Sequence, residues 1–487
     1  MSPIKIKGAG ETISELLRRA GHIIDLPCGG RGICGGCAVL ASGKLDLPSK
    51  KEKSILERKE LEPVNNFVPR LACMSRVLGD AEVIPPIRSK TTASPFLCGI
   101  PDFDGNEQFA LGVAADIGVT AIMLELHNLT DKVLLSTQTS LNPQLLISEE
   151  LNGVTYSRQN SADELRNVLI VKLWEMIEAA LLESKVFAED VRRVVLTGNT
   201  SMLYSVRGLT HAGLFGETFP ASELFPSLSH AEIYVPRCVS ANIGADITCG
   251  LYAADCLNIP GCSMFIDAGT NVELVLIRDK KIICGIAGHV SEGANITIGI
   301  AEAGAVRHVR HTGYGVMCDT ISGAPPDGIC GSGLISAASL LLEMGELDET
   351  GYLETDPFEL GSSGVHIHGR DIRGLQSAKS AVAAGIGVLL DKEGISMETP
   401  ERLILAGVFG DSADAVEAAA IGLIPRSLKE KTIFVGNAAL YGAVLCLYSQ
   451  NARQRIYQIA CDAEEFPIIE NPAFIKLQKE RMAFKPF

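Results

Sequence analysis

Along the chain, short apolar runs of strand length close on glycine-bearing turns, and a few longer apolar stretches of helical character open on glycines. Near the N-terminus, Thr12 to Ala20 reads as a short helix and Ala38 to Leu40 as a short strand. Lys50 to Leu61 reads as a charged helix and Ala81 to Ile84 as a closing strand. From Phe109, the stretch FALGVAADIGVTAIMLELHNLTDKVLLSTQTS predicts a strand, the tight turn DIGVT, a second strand and, past Thr130, a third. A meander of this kind is not the strand–helix opening of a dinucleotide-binding unit. The order recurs from Cys262 in CSMFIDAGTNVELVLIRDKKIICG. Later, PDGICGSGLI places Gly331, Ser332 and Gly333 at the head of an apolar helix, and RLILAGVFGDS ends a strand in a turn spanning Ala406 to Gly410.

At 487 residues the chain exceeds one ordinary domain, and its 47% apolar and 21% charged residues suit large cores. Charged and polar residues interrupt the N-terminal stretch before a signal-peptide core could form, and no apolar run is long enough to span a bilayer. The expectation is a cytoplasmic protein. Net charge is −15, distributed unevenly, with residues 1–90 basic and the remainder acidic. An acidic bulk without clustered cations argues against nucleic acid as a partner. The charge pattern is foremost that of an ordinary solvated surface on both modules; the sharper reading is a basic front module that docks on an acidic partner or on its own acidic body.

Fourteen cysteines in such a chain read as metal ligands and reduced thiols rather than a disulfide framework. Four have informative spacing. Cys28, Cys34 and Cys37 share one glycine-rich loop, DLPCGGRGICGGC, and Cys73 follows in RLACMSR. The loop glycines permit the tight wrapping that lets three thiolates converge, and the distant fourth cysteine fits a 2Fe-2S layout better than a tighter 4Fe-4S run. Zinc ribbons use two Cys-x2-Cys knuckles, of which only Cys34 and Cys37 make one. The spacing resembles that of adrenodoxin-type ferredoxins, which implies a β-grasp fold over residues 1–88. The other ten cysteines are expected to act mostly as small core hydrophobes. Residues 89–106, with turn formers and two prolines, read as a linker; a flexible chain of that length spans roughly 25 Å.

In the two repeated turns, Asp116 and Asp267 are candidates to organise a magnesium ion through bound water. Gly118, Val119, Thr120, Gly269, Thr270 and Asn271 are candidates to meet phosphate with amides and hydroxyls. Gly331, Ser332 and Gly333 offer amides at a helix start. One Asp-x-Gly-x-Thr string is a weak signal; two copies, followed by the other turns in order, resemble the actin, hexokinase and Hsp70 superfamily. That resemblance implies that the nucleoside packs at the turn holding Gly407 and Gly410. The resemblance implies a two-lobed α/β ATPase of the ribonuclease H-like type over residues 107–487, with lobes of about 107–258 and 259–487, behind the α+β ferredoxin domain.

Both modules together resemble the reductive activators of corrinoid-dependent methyltransferases, which LTGNTSM, DGICGSGLISA, DIRGLQSAKSAVAAGIGVLL, IGLIP, VGNAALYGA and the closing RMAF also match. The resemblance implies ATP-dependent, one-electron reduction of a Co(II) corrinoid to Co(I). It implies a 2Fe-2S cluster, ATP and Mg2+ as cofactors. It further implies a corrinoid protein as partner, a low-potential ferredoxin or flavodoxin as electron donor, and a homodimer. The sequence departs from the family pattern at Val119, at Val408 and in GHVSEGANI (288–296), where His289 or Ser291 could approach a corrin. The linker is also too short for the extra domain of longer members. Two readings compete: a phosphotransferase with a redox-regulatory ferredoxin, and a redox-sensing Hsp70-like binding module. The third relative, the activators of acyl-CoA dehydratases, is disfavoured because it bridges a 4Fe-4S cluster between subunits.

Overall fold

A computed structural model describes residues 4–19, 37–57, 66–84, 98–144, 158–208, 213–269, 271–289, 304–312, 315–407 and 413–487. Two compact units result. One comprises residues 1–94, 296–340 and 355–368, the other residues 95–295, 341–354 and 369–487.

In the first unit, β1 (Ile4–Lys7), β2 (Ala38–Leu45), β3 (Val68–Leu71) and β4 (Val77–Ile84) form an antiparallel sheet of order β1-β4-β2-β3. Helices α1 (Ile13–Arg19) and α2 (Lys50–Glu57) accompany it. Ile13, Leu17, Val39, Ala41, Leu71, Val77 and Val83 fill its core. The strands alternate as a half-buried sheet requires: in β4 the buried positions are Val77, Ala81 and Val83. Strands β2 and β4 begin or extend beyond the sequence expectation because their polar residues face outward and do not interrupt pairing. Within the same unit, β14 (Val306–Thr312) and β15 (Gly315–Thr320) make a two-stranded ribbon, and β16 (Phe358–Glu359) pairs β17 (His366–Ile367).

The second unit holds two six-stranded sheets of matching plan. The first has the order β7-β6-β5-β8-β10-β9 and is made of β5 (Leu111–Ile117), β6 (Ala121–Asn128), β7 (Val133–Leu141), β8 (Val191–Gly198), β9 (Glu217–Pro220) and β10 (Glu232–Val235). The second runs β19-β18-β11-β12-β13-β20, from β11 (Cys262–Ala268), β12 (Asn271–Arg278), β13 (Lys281–His289), β18 (Arg402–Gly407), β19 (Thr432–Phe434) and β20 (Ala463–Glu465). In each, an antiparallel meander is extended by a parallel strand beside its first member: β5 with β8, β11 with β18. The repeat seen as two DxGxT-like strings is therefore a repeat of topology.

Further helices are α3 (Arg158–Ser184), α4 (Thr200–Arg207), α5 (Ala245–Ala253), α6 (Gly331–Met344), α7 (Gly369–Lys392), α8 (Ala415–Ala420), α9 (Ala438–Tyr448), α10 (Gln450–Asp462) and α11 (Pro472–Glu480). Helices α5 and α9 are apolar nearly all round, as buried helices are. Ile247 and Leu251 of α5 pack with Phe265 and Ile404 of one sheet, while Leu440 and Val444 of α9 pack with Ala114 and Val195 of the other. The two helices touch closely: a methyl group on Gly442 would lie 2.3 Å from the Cys249 carbonyl oxygen. No described helix is long and apolar enough to cross a membrane.

One expectation needs correction. Residues 98–106 are not a free tether: the Cys98 carbonyl accepts from the Tyr441 hydroxyl at 3.0 Å, Asp104 pairs with Arg193 at 2.7 Å, and the Arg193 guanidinium stacks over Phe103. Ile100 and Phe103 supply the apolar surface that makes this docking favourable. Only the earlier part of the expected linker lies outside the described residues.

Candidate functional site

Strand register brings two of the predicted iron ligands together. Ala38 pairs with Leu71, and the Ala72 amide donates to the Cys37 carbonyl at 3.0 Å, so Cys37 and the turn that carries Cys73 lie side by side. Their sulfurs are 3.2 Å apart, far longer than a disulfide bond. Cys37 is buried and Cys73 half-buried against the same core. Buried charge braces this turn. Glu52 of α2 accepts from the Leu71 amide at 2.9 Å, the Ser75 hydroxyl at 2.7 Å and Arg70 Nε at 3.0 Å, which brackets Cys73 on both sides. Arg70 also donates to Asp46 at 2.7 Å. A thiol pair on a braced, water-poor turn fits an iron–sulfur cluster. Cys28 and Cys34 lie outside the described residues. Of the ten other cysteines, seven are buried, as expected of small hydrophobes, whereas Cys461 is exposed.

The second constellation is a group of carboxylates. Asp116 and Asp267 are each the last residue but one of their strands, β5 and β11, and burial pushes the first up to about 6 and the second up to about 7, the latter helped by repulsion from Asp116. Asp246, in the first turn of α5, is pushed up to about 8 by burial and then by Asp267 and Asp116. Glu273, opposite Asp267 across the β11–β12 pair and 5% exposed, is held well above the usual carboxylate range by burial, Asp246 and Asp267. None of the four forms a salt bridge among the described residues. Among the described residues these acids meet no cation, and the repulsion between them is one that a divalent ion would relieve. No three of them converge closely enough to ligate a metal ion directly, so a magnesium ion would be met through bound water.

Glycines shape the floor of this group. Gly407 has φ +78°, and a methyl group there would sit 2.5 Å from Asp267 Oδ1. Its amide donates to the Gly436 carbonyl at 3.0 Å. Next in the chain, Asn437 donates from Nδ2 to Asp116 Oδ2 at 2.8 Å while its Oδ1 caps α9 by accepting from the Leu440 amide at 2.7 Å.

The turn amides behave differently from expectation. The Gly118 amide closes its own hairpin onto the Ala121 carbonyl, and the Gly269 amide does the same onto Asn271, both at 2.9 Å. These two glycines shape the turns rather than presenting their own amides outward. Val119 and Thr120 occupy the first turn, braced by Asn142, whose side chain donates to the Gly118 carbonyl at 2.9 Å and whose amide donates to the Thr120 carbonyl at 2.8 Å. The Asn271 side chain hydrogen-bonds Glu273, which by itself favours the carboxylate form and opposes the upward push of burial. Gly331, Ser332 and Gly333 do open α6, in the first unit, where a methyl group on Gly333 would lie 2.0 Å from the Val306 carbonyl oxygen. Close packing on β14 is thus one reason for that glycine. Thr270, Val408, Gly410, Ser291 and the His289 side chain lie outside the described residues.

Asp246, Glu273, Asn437 and Asn142 escaped the sequence reading. Glu273 was recoverable, since a three-residue turn after Ala268 makes it the cross-strand partner of Asp267. Asn437 stands in VGNAAL as an obvious helix cap, but its second hydrogen bond spans 321 residues and leaves no local trace.

Comparison with known proteins supplies the context. Residues 111–258 match the family described as "RACo middle region" and residues 261–486 that described as "C-terminal domain of RACo the ASKHA domain", together more than three quarters of the chain. The "[Co(II) methylated amine-specific corrinoid protein] reductase" of Methanosarcina barkeri is 28% identical over 374 residues, 68% of this chain and 68% of that protein. The "2Fe-2S ferredoxin-5" of Aquifex aeolicus (strain VF5) is 39% identical over 77 residues, 15% of this chain and 77% of the ferredoxin. Among solved structures, "Reductive activator for corrinoid,iron-sulfur protein" superposes with a TM-score of 0.73 at 23% identity, covering 98% of this chain and 96% of its own, which establishes a common fold. With a ferredoxin-like front, an ASKHA (actin- and sugar-kinase-like) body and both RACo regions in order, the chain belongs to the RACo family.

Proposed function

We propose that this protein reductively activates a corrinoid protein, returning Co(II) corrinoid to Co(I) by one-electron transfer coupled to ATP. The observation that carries the proposal is the presence, on one chain, of a braced cysteine pair suited to iron–sulfur ligation and a carboxylate group suited to a nucleotide-bound cation. In this reading, residues 1–88 are the ferredoxin domain and 107–487 the ATPase, the protein works in the cytoplasm, and it is recharged by a low-potential ferredoxin or flavodoxin. The homodimer expected of the family stands with these as a proposal.

Cys28, Cys34, Cys37 and Cys73 would hold a 2Fe-2S cluster, which supplies the single electron. Asp116 and Asp267 would hold Mg2+ through water, with Val119, Thr120, Thr270, Asn271, Gly407 and Gly410 around the nucleotide. The chain's own task is to convert nucleotide binding into preference for one conformation. Plant-type clusters lie near about −400 mV, and Co(I) corrinoids are expected to lie lower. A deficit of about 200 mV costs about 4.6 kcal/mol per electron. Differential binding of about 5.5 kcal/mol moves a two-state equilibrium from 1:99 to 99:1, so a nucleotide-driven closure is adequate in scale. No general base is needed on the electron's path.

The test is to mix the reduced protein anaerobically with Mg-ATP and a Co(II) corrinoid protein and follow the Co(I) absorption. Its appearance only with Mg-ATP is expected. Phosphorylation of a small molecule instead would favour the phosphotransferase, and the absence of both products would favour the sensor.

A further inference from the structure

Asn437 connects features that belong to different sheets. Its Nδ2 reaches Asp116 on β5, and the residue before it, Gly436, accepts from the amide of Gly407, the glycine packed against Asp267 on β11. Its orientation is fixed from both ends. Because Oδ1 accepts from the Leu440 amide, the nitrogen must face Asp116, so the amide cannot be flipped without losing both bonds. The Met123 sulfur, 3.5 Å from Nδ2, closes the remaining side. Capping alone does not require this residue, since serine and aspartate cap helices as well as asparagine does. What asparagine adds is a donor aimed at a carboxylate.

We propose that Asn437 is a positioning residue of the nucleotide site: it holds the Asp116 carboxylate in one orientation while Gly436 anchors Gly407 beside Asp267, so that the start of α9 sets the two aspartates for a single divalent cation. The inference rests on the reading of those aspartates as the Mg2+ site. A carboxylate oriented before the ion arrives loses no rotational freedom on binding, and one oxygen is already engaged, which leaves the other to face the metal-bound water. The same short turn joins both sheets, so an ion that draws on Asp116 and Asp267 together also pulls on α9.

Two substitutions separate this role from capping. Asn437→Ser keeps a cap acceptor and removes the donor to Asp116, whereas Asn437→Ala removes both. In the full-length, cluster-loaded protein, binding of a non-hydrolysable ATP analogue is titrated calorimetrically against MgCl2, alongside thermal melting. Asn437→Ser is expected to raise the half-saturating Mg2+ concentration about tenfold, the scale of one hydrogen bond to a charged group, with an unchanged melting temperature. Asn437→Ala is expected to show the same Mg2+ shift and to melt lower. If the wild type needs Mg2+ and Asn437→Ser needs no more of it, the residue is only a cap and the proposal falls. If the wild type binds the analogue equally well without Mg2+, the cation-site reading falls as well.

Discussion

At the scale of single residues, the carboxylate group has a pH signature. Asp116, Asp267 and Asp246 have folded-state values pushed up to about 6, about 7 and about 8. Each therefore holds a proton in the folded chain that the unfolded chain releases near pH 4. Their contribution to stability is fully present below that unfolded value and is lost as pH rises through the folded values, that is, between about pH 4 and pH 8. In the proposed reading, a bound divalent cation would replace the missing protons. We expect metal-free protein to melt at progressively lower temperature from pH 5.5 to pH 8, and Mg-nucleotide to raise the melting temperature more at pH 8 than at pH 6. Equal stabilisation across that range would mean that the ion does not contact these groups. Asp116 and Asp267 could be singled out from the sequence because aspartates in glycine turns are local patterns, whereas it is the fold that places Asp246 and Glu273 beside them.

Among elements, the important unit is the turn that carries Cys73, held between β3 and β4 by a helix far from it in sequence. Glu52 is 2% exposed and Arg70 equally buried, so their ion pair is useful only while complete. Asn437 acts similarly for α9. Glu52→Gln would leave Arg70 with Asp46 as its remaining charged partner and weaken the hold on Leu71 and Ser75, at a cost of about 3 kcal/mol. The expected result is faster iron release to a chelator together with a lower melting temperature of the protein. Release at the wild-type rate would show that the turn needs no such brace. The charge pattern of Lys50 to Leu61 forecast a charged helix, yet the burial of Glu52 within it was not readable, since its partners are Arg70 and Leu71 of β3 and Ser75 in the following turn.

For the whole molecule, the thiol pair and the carboxylate group belong to different compact units, one holding residues 37 and 73 and the other residues 116, 246, 267 and 273. Each should survive loss of the other. Cys73→Ser is expected to abolish the cluster's visible absorption and Co(I) formation while leaving Mg-nucleotide affinity within about twofold, the scale of independent sites. Asp267→Asn should preserve the absorption and remove the acceleration by ATP. A Cys73→Ser protein unable to bind nucleotide would contradict this independence. The pinning of residues 98–106 onto the ATPase-bearing unit also shortens whatever reach the linker provides, a feature hidden from composition because Cys98, Asp104 and Phe103 look like ordinary turn residues.

By itself, the sequence determined the ferredoxin-like front, the ASKHA body behind it and the two meanders that carry Asp116 and Asp267, because each is specified by residues within a few positions of one another. Strand alternation and turn glycines act locally, and local physics is readable along the chain. The tertiary structure alone decided that Asp246 and Asp116 lie near enough to the Asp267–Glu273 pair to repel it, that Gly118 and Gly269 close their own hairpins, and that Asn437 reaches Asp116. Those facts depend on low-dielectric proximity and on hydrogen bonds between distant segments, and neither leaves a periodic mark in a one-dimensional string.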